Sequence, residues 1–370
     1  MNILVNGISA KSGGGKSILT NFLTLLVDHK TENEYFVIVP SSVTDYQKYC
    51  SNNIHIIPVK SSLIDLYIFT FFTVNKINKK YNITLILNLA DLIIPTSIKQ
   101  VYLFDWPYAI YPDSIVWNKM NKKDWILRKF KLFLVKHYIS KPSLVIAQTE
   151  TAKYRLNKIY RINNIEIVPN AVSIDNLTGG EYRDFNFPEN KIKLLYLTKY
   201  YTHKNIEVFL PLAKLIKEQN LPYIFIITID EAQHKKAKKI IEAINNEKIE
   251  DVIINIGTVS MPHVPSLYQQ TDALLMPTLL ESFSGTYVEA MYHKKPIFTS
   301  DLDFARDVCQ DAAFYFNPES IENILMTIKE YFNNLKAINT IVQKGEKRLS
   351  EFLPWREVFD KLMQIINHVK

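Results

Sequence analysis

Cysteine, glycine and long apolar runs are all scarce in this chain of 370 residues. Only two cysteines occur, Cys50 and Cys309, so a disulfide framework is excluded and a reducing cytoplasm fits. The apolar run at 83–94 is too short and too interrupted to span a bilayer, which takes about 20 residues. The start of the chain has no charged region leading into a long apolar stretch. We therefore expect a cytoplasmic location without a secretion signal.

The nine glycines are unevenly placed, because three of them are consecutive: Gly13, Gly14 and Gly15. Where glycine is this rare, such a run indicates a backbone that must bend or be approached closely. Charge is uneven as well. Residues 1–172 hold 21 Lys and Arg against 11 Asp and Glu, whereas the chain as a whole has a net charge of +7. The first half is therefore the half expected to meet an acidic partner.

Short β-type runs without strict alternation are separated by amphipathic stretches along the whole chain. Such runs are typical of parallel strands that helices cover on both faces. In the first half the pattern predicts strands at 3–8, 35–40, 54–59, 83–89, 101–104 and 144–147, and a helix at 16–29. In the second half it predicts strands at 193–197, 223–229, 252–256, 273–276 and 296–299, and helices at 206–219, 231–246, 282–292 and 321–337.

A cluster of Asp, Asn, Gly, Pro and Thr at 170–190 indicates the join between two domains. The predicted fold class is α/β, with two doubly wound Rossmann-like domains, 1–172 and 173–354, facing each other across a cleft. A C-terminal helix at about 355–370 is expected to pack back on the first domain. Ligands of such domains bind at the carboxyl ends of the strands, which here line the predicted cleft.

The strongest motif is the segment 281–289, ESFSGTYVE, which follows the predicted strand 273–276. Ser284 and Gly285 open a helix, and the free N–H groups and dipole at a helix start suit a diphosphate. Glu281 precedes the helix and Glu289 lies more than one turn inside it. The two carboxylates can therefore reach opposite ends of one ligand, such as a sugar and a ribose. The alternative is an ordinary capped helix with acidic residues in its first turns.

A basic pair, Lys199 and Lys204, follows the predicted strand 193–197. Two lysines at the carboxyl end of a strand can neutralise the charge that builds on a departing phosphate. The alternative is a pair of solvated loop lysines. Taken with the segment 281–289, the pair indicates a site that holds a nucleotide diphosphate and stabilises its departure.

These segments, in this order, resemble glycosyltransferase family 4, the retaining GT-B enzymes, of the bacterial surface-polysaccharide type. The matching segments are 167–172 (IVPNAV), 195–205, 281–289, 295–301 and 311–318. The resemblance covers 140–320 well and the first half in outline. It implies transfer of a hexose-type sugar, with retention, from a nucleotide diphosphate donor to a glycan or lipid-linked acceptor. It also implies that no metal or other cofactor is needed.

The resemblance further implies roles for single residues of the donor side. Lys199 and Lys204 would contact the phosphates, and Glu281 would hold sugar hydroxyls near the reacting carbon. Glu289 would bind the ribose hydroxyls, and Gly257 would lie beside the base. The backbone that caps the distal phosphate would be that of Ser284, Gly285 and Thr286.

On the acceptor side, the resemblance implies that Gly13–Gly15 and Lys16 line the cleft. Asp105 remains a candidate for contact with the acceptor. The chain departs from the family at three positions. Lys199 stands where arginine is usual, which keeps the charge but loses the bidentate geometry. Ala171 replaces a glycine, and Phe104 precedes Asp105 where many members have histidine.

Two other functions compete with this interpretation. Residues 10–17, AKSGGGKS, fit a relaxed P-loop that follows a strand and opens a helix, which would indicate an NTPase or kinase. A non-catalytic sugar-nucleotide binder is the third candidate, and the intact carboxylates and lysines of the donor segments argue against it.

The DLD triplet at 301–303 resembles a metal-binding motif of another glycosyltransferase fold, with a solvated turn as the alternative. The eight histidines show no metal-ligand spacing.

The segment 117–141 is both basic and apolar, with eight Lys and Arg against one acidic residue, Asp124. At helical spacing it can lie on an anionic membrane surface and meet a lipid-linked acceptor, which would make the protein peripheral to the inner face of the cytoplasmic membrane. The alternative is a core-packed helix with a solvated basic face. Nucleic acid is not expected as a partner, because no signature of a nucleic-acid-binding fold accompanies the charge.

Overall fold

The computed structural model describes residues 1–171 and 179–369, and it divides the chain into two compact units. Unit 1 consists of Met1–Pro112, Asn121–Ala171 and the segment from Leu353 onward. Unit 2 consists of Asp113–Met120 and the described residues between 179 and Phe352, so that 113–120 groups with the second unit. The predicted boundary between 172 and 173, the last residue of the segment 167–172 and the final position of the chain lie outside the described residues.

Unit 1 is built on one parallel sheet of seven strands, ordered β3-β2-β1-β4-β5-β6-β7. Ile3 and Val5 of the central strand belong to one apolar core cluster, whereas Leu4 belongs to another. Because alternate side chains of a strand point to opposite faces, the sheet is buried on both sides. The strands are β1 Asn2–Asn6, β2 Glu34–Pro40, β3 Ile54–Val59, β4 Leu85–Asn88, β5 Lys99–Leu103, β6 Leu144–Ala147 and β7 Ile165–Ile167.

Five helices lie between these strands in the sequence. They are α1 Gly13–Val27, α2 Leu63–Ile68, α3 Val74–Lys80, α4 Lys122–Tyr138 and α5 Glu150–Tyr160, with the π-helical turn Phe69–Thr73 joining α2 to α3. Side-chain caps begin three of them: Ser62 accepts from the Asp65 N–H, Asn121 from Asp124 and Thr149 from Ala152. Each cap satisfies an N–H that the helix itself leaves without a partner.

Unit 2 repeats the scheme with a parallel sheet of six strands, ordered β10-β9-β8-β11-β12-β13. The strands are β8 Ile192–Tyr196, β9 Tyr223–Ile227, β10 Ile253–Asn255, β11 Ala273–Met276, β12 Ile297–Ser300 and β13 Phe314–Phe316. The helices are α6 Phe209–Glu218, α7 Lys235–Asn246, α8 Val264–Gln269, α9 Gly285–Tyr292, α10 Asp303–Cys309, α11 Ile321–Phe332 and α12 Leu335–Leu349. In both sheets the order reverses beside the first strand, and ligands of such sheets bind at that point.

The last described helix, α13 Trp355–Val369, belongs to unit 1, where Phe359 packs against Phe22 of α1 with ring centroids 5.5 Å apart. The predicted fold class of two Rossmann-like parallel-sheet domains is confirmed.

The single helix predicted at 321–337 is wrong, because the asparagine pair Asn333 and Asn334 divides it. Asn334 accepts a hydrogen bond from the Ala337 N–H at 3.0 Å and so begins α12. No helix within 1–171 or 179–369 has the length and apolar character that crossing a membrane requires.

Candidate donor site

The centre of the candidate site is an ion pair at the carboxyl edge of the second sheet. Strands β8 and β11 are neighbours, so the loops that follow them start side by side. Lys204 lies in the short 3-10 turn after β8, and its Nζ donates to Oε1 of Glu281 in the loop after β11. The two side chains are only 12% and 10% exposed. The structure therefore brings together two of the three residues that the sequence nominated for catalysis.

Two hydroxyl groups fix the loops that carry this pair. Thr278 Oγ1 lies 3.2 Å from the bound Oε1 of Glu281 and 3.1 Å from the carbonyl oxygen of His203. The buried Tyr196 hydroxyl donates to the Lys204 carbonyl at 2.9 Å. Sequence reasoning missed both side chains. The available signal was their position at the ends of two strands that were expected to meet at one edge.

Helix α9 begins next to this pair. Its N-cap residue, Ser284, has an extended backbone, and its side chain makes no capping hydrogen bond. The first N–H groups of a helix have no partner within the helix, and together with the helix dipole they favour a bound anion. Gly285 and Thr286 supply the first two of these groups, four and five residues after Glu281.

Glu289 lies in the second turn of α9 and is held by Tyr268 of α8. The fully buried Tyr268 hydroxyl donates to Oε2 of Glu289 at 3.3 Å. Burial raises the pKa of Glu289 to about 7, while the hydrogen bond from Tyr268 lowers it. His293 stacks on the Tyr268 ring at 4.7 Å, and burial lowers the pKa of this imidazole to about 4. Glu289 therefore titrates near neutral pH beside a tyrosine, and this tyrosine had no motif by which the sequence could have revealed it.

Lys199 and Gly257 lie at the same edge of the sheet, after β8 and β10. The described residues show no direct hydrogen bond from either to the Lys204–Glu281 pair. Lys199 follows Thr198, whose N–H donates to Thr228 Oγ1 at 2.9 Å and so fixes the start of the loop. Gly257 has φ +69°, yet no atom lies within 4 Å of the position a Cβ would take. The backbone conformation, and not crowding, therefore favours glycine there.

The glycine run lies in unit 1, at the start of α1. Helix α1 begins at Gly13, which has φ +63°, so Gly14 and Gly15 already lie in its first turn. Lys16 pairs with Asp45, with Nζ and Oδ2 3.2 Å apart and both side chains well exposed. A P-loop needs the glycines in a loop that wraps a phosphate ahead of the helix. The geometry at residues 10–17 is therefore unfavourable to the NTPase hypothesis.

Asp105, the other acceptor-side candidate, also lies in unit 1. It is the second residue after the end of β5, half-buried between the buried Phe104 and Trp106. This is the carboxyl edge of the first sheet, where the prediction placed it.

The two acidic residues of the DLD triplet at 301–303 each interact with a neighbouring group of unit 2. Asp301 pairs with the Arg306 guanidinium, which holds the pKa of this carboxyl below its usual range. Asp303 begins α10, and its Oδ1 accepts from the Phe304 N–H at 2.9 Å. Among residues 1–171 and 179–369, no group of three or more His, Cys, Asp and Glu side chains is placed to hold a metal ion.

Comparison with known proteins gives a family match in unit 2. Residues 181–348 match the family model described as Glycosyl transferases group 1, so nearly all of unit 2 is a glycosyltransferase domain of that group. The O-antigen chain mannosyltransferase RfbU of Salmonella typhimurium is 21% identical over 260 residues, which is 70% of this chain. The match spans 65% of the length of that relative.

Two solved structures are similar over the whole chain and show the fold. Sucrose-phosphate synthase of Thermosynechococcus elongatus superposes with a TM-score of 0.79 at 12% identity, covering 100% of this chain and 99% of the other. Anabaena HepE, crystallised in complex with UDP-glucose, superposes with a TM-score of 0.72 at 14% identity and complete coverage of both chains. The GT-B fold expected from the resemblance is therefore confirmed.

Proposed function

We propose that the protein is a retaining glycosyltransferase of family 4 that transfers a hexose-type sugar in the synthesis of a bacterial surface polysaccharide. The donor is a nucleotide diphosphate sugar, with UDP or GDP as the nucleotide. The acceptor is a glycan or a lipid-linked sugar. The observation that carries the proposal is the nearly buried Lys204–Glu281 pair beside the uncapped start of α9.

The charges at this edge support a diphosphate leaving group. As the bond between the anomeric carbon and the phosphate oxygen breaks, negative charge builds on the diphosphate. The Lys204 ammonium, with Lys199 in the same loop, and the N–H groups at Gly285 and Thr286 stabilise that charge. Preorganised donors of this kind typically contribute about 3–4 kcal/mol each when the charge develops in the transition state.

The ion pair also supports a role for Glu281 in holding the sugar. Its Oε1 is engaged by Lys204 and Thr278, and Oε2 remains for sugar hydroxyls. The acceptor hydroxyl attacks from the face that the diphosphate leaves, and its proton passes to a diphosphate oxygen. The new bond joins the acceptor oxygen to the anomeric carbon, so the configuration is retained. At the other end of the donor, Glu289 binds the ribose and Gly257 lies beside the base.

The acceptor side is proposed to lie in unit 1, with Gly13–Gly15, Lys16 and Asp105. The helix α4 forms most of the basic and apolar segment 117–141 and is proposed to contact an anionic membrane that carries the acceptor. No metal and no further cofactor take part, because the cationic groups of the donor site supply the charge that a metal would supply.

Thermal melting with UDP, GDP, CMP and ATP, each with and without Mg²⁺, tests the donor. A ligand present at about 100 times its dissociation constant adds about 2.7 kcal/mol of stability, which shifts the melting temperature by several degrees. We expect a shift with UDP or GDP that is independent of Mg²⁺. The nucleotide that produces it also identifies the sugar donors to use in a transfer assay.

Other outcomes of the same experiment point to the competing functions. A shift only with ATP and Mg²⁺, together with phosphate release that Lys16→Met abolishes, would favour the NTPase. Donor binding without transfer or hydrolysis would favour a non-catalytic binder.

A further inference from the structure

An unusual share of the exposed apolar surface lies on two helical segments of unit 1. Sixteen large apolar side chains are exposed among the described residues, and eight of them lie on α2 with its π-helical extension and on α4. We call these eight residues the docking face: Leu63, Ile64, Ile68, Phe72, Trp125, Ile126, Phe130 and Phe133. Scattered exposed apolar residues are ordinary, whereas a cluster of large ones indicates a binding surface.

Helix α4 differs from an ordinary surface helix in where two of its cations lie. Its inward face carries charge: the Arg128 guanidinium lies over the Tyr108 ring and the Lys131 ammonium over the Trp106 ring, each 4.3 Å from the ring centroid. Lys131 also pairs with Asp91, with Nζ and Oδ2 2.6 Å apart. A surface helix normally turns its apolar residues to the core and its cations to water. In α4, two cations contact aromatic rings on the inner side, while four large apolar residues are exposed to solvent.

The two segments form one surface, because they are in contact. The Tyr67 and Phe130 rings are 5.6 Å apart, and the Phe71 and Tyr138 rings are 5.9 Å apart. Residues 64, 68 and 72 follow each other at intervals of four, which places them along one side of the first segment. Ile64 and Phe72, at its two ends, are 71% and 69% exposed.

The charge around the docking face is almost entirely positive. The segments 60–80 and 122–141 together contain eleven Lys and Arg residues against two acidic residues, Asp65 and Asp124. Both acids serve as helix-capping partners, Asp65 with Ser62 and Asp124 with Asn121. Lys129 lies 5.5 Å from the centroid of the exposed Trp125 ring, so positive charge borders the apolar side chains directly. A second copy of this surface would be repelled by like charge, whereas anionic lipid headgroups complement it.

We propose that the docking face is a membrane-binding surface built from two helices, in which the side chains of α2 and its π-helical extension insert into an anionic lipid monolayer together with those of α4. The inference deepens the membrane contact in the proposed function and rests on it. Its new content is the segment 63–73, which contributes half of the inserted side chains. Binding then needs both apolar insertion and charge, as amphipathic surface segments with basic flanks do.

Flotation with lipid vesicles tests the proposal on the full-length protein. We expect the parent to bind vesicles of phosphatidylcholine with 30% phosphatidylglycerol at low salt, and to bind vesicles of phosphatidylcholine alone far more weakly. Ile64→Ser with Phe72→Ser should lower the partition coefficient at least about tenfold, because each removes a large side chain from the lipid. Met326→Ser with Leu335→Ser, two exposed positions in unit 2, is the matched control and should bind as the parent does.

Two further measurements separate the outcomes. Nucleotide-induced melting shifts should be equal in the parent and in both double variants, since the substitutions leave the donor site unchanged. Vesicle binding that survives Ile64→Ser with Phe72→Ser would overturn the proposal while leaving the donor function intact. A parent that is dimeric in light scattering, does not bind vesicles and becomes monomeric in that variant would show instead that the face joins two copies of the chain.

Discussion

Lys204 donates to Glu281 across the carboxyl ends of two neighbouring strands, β8 and β11, with both side chains almost withdrawn from water. Removing one partner of such a pair leaves an uncompensated charge in a poorly solvated place, so the two side chains stay together. The pair also keeps the Lys204 ammonium at a fixed position before any ligand arrives. Preorganisation of this kind is what electrostatic stabilisation of a developing charge requires.

Lys204→Ala should therefore lower kcat by about 10²–10³-fold, while the dissociation constant of the nucleotide changes by less than about fivefold. The physical reason is that Lys204 acts mainly on charge that appears in the transition state. Initial-rate kinetics and calorimetric titration with the nucleotide measure the two effects separately. Lys214→Ala, which removes a well-exposed lysine paired with Glu247, is the control and should leave both values unchanged. A loss of affinity alone in Lys204→Ala would contradict the catalytic role.

Nucleotide affinity should depend on pH through Glu289. The carboxyl has a pKa of about 7, so it is largely protonated below that pH, and a protonated carboxyl is a poorer acceptor for two ribose hydroxyls. Affinity should rise between pH 6 and 8, by up to about tenfold per unit on the acidic side. Tyr268→Phe removes a hydrogen bond that lowers this pKa, so it should move the profile to higher pH. Titration calorimetry across this range gives both profiles.

Tyr223→Phe is the matched control for this experiment, since it alters a buried tyrosine of β9 elsewhere in the same unit. Its pH profile should overlay that of the parent. If Tyr268→Phe weakened binding equally at every pH, the tyrosine would be a packing residue and not one that positions the carboxylate.

The same carboxyl should make the stability of the free protein depend on pH. Its pKa is raised from 4.5 to about 7, so between these values the folded state holds a proton that the unfolded state has lost. Stability therefore falls as pH rises through this window. Glu289→Gln has no such titration, and its melting temperature relative to the parent should increase by about 2 °C or more from pH 5 to pH 8. A difference that stays constant with pH would show that the carboxyl does not titrate in this range.

Transfer activity should survive EDTA. The proposed charge stabilisation comes from Lys199, Lys204 and the start of α9, and the acids at 301–303 have partners of their own in the fold. Asp301→Asn with Asp303→Asn should keep at least about half of the activity, because surface ion pairs contribute little. The measurement is the initial rate with and without chelator, before and after adding Mg²⁺ or Mn²⁺ back. Loss of activity that either metal restores would assign the triplet a metal.

The sequence by itself determined the architecture, because strands buried on both faces leave a pattern of short apolar runs that survives without any structure. The strands at 144–147 and 273–276 have their predicted bounds. It also nominated Lys204, Glu281 and the helix start at Ser284, since these residue types follow strands whose carboxyl ends share one edge.

Only the tertiary structure decided which side chains support those residues and which way the helices face. Tyr268 is brought to Glu289 from another helix, a relationship across 21 positions that no local pattern encodes. The break at Asn333 and Asn334 depended on capping, which competes closely with continued helix. In the same way, the periodicity of α4 allows either face to turn inward. The rings of Tyr108 and Trp106 contact Arg128 and Lys131 of this helix, and these contacts favour the face that lies inward in the structure.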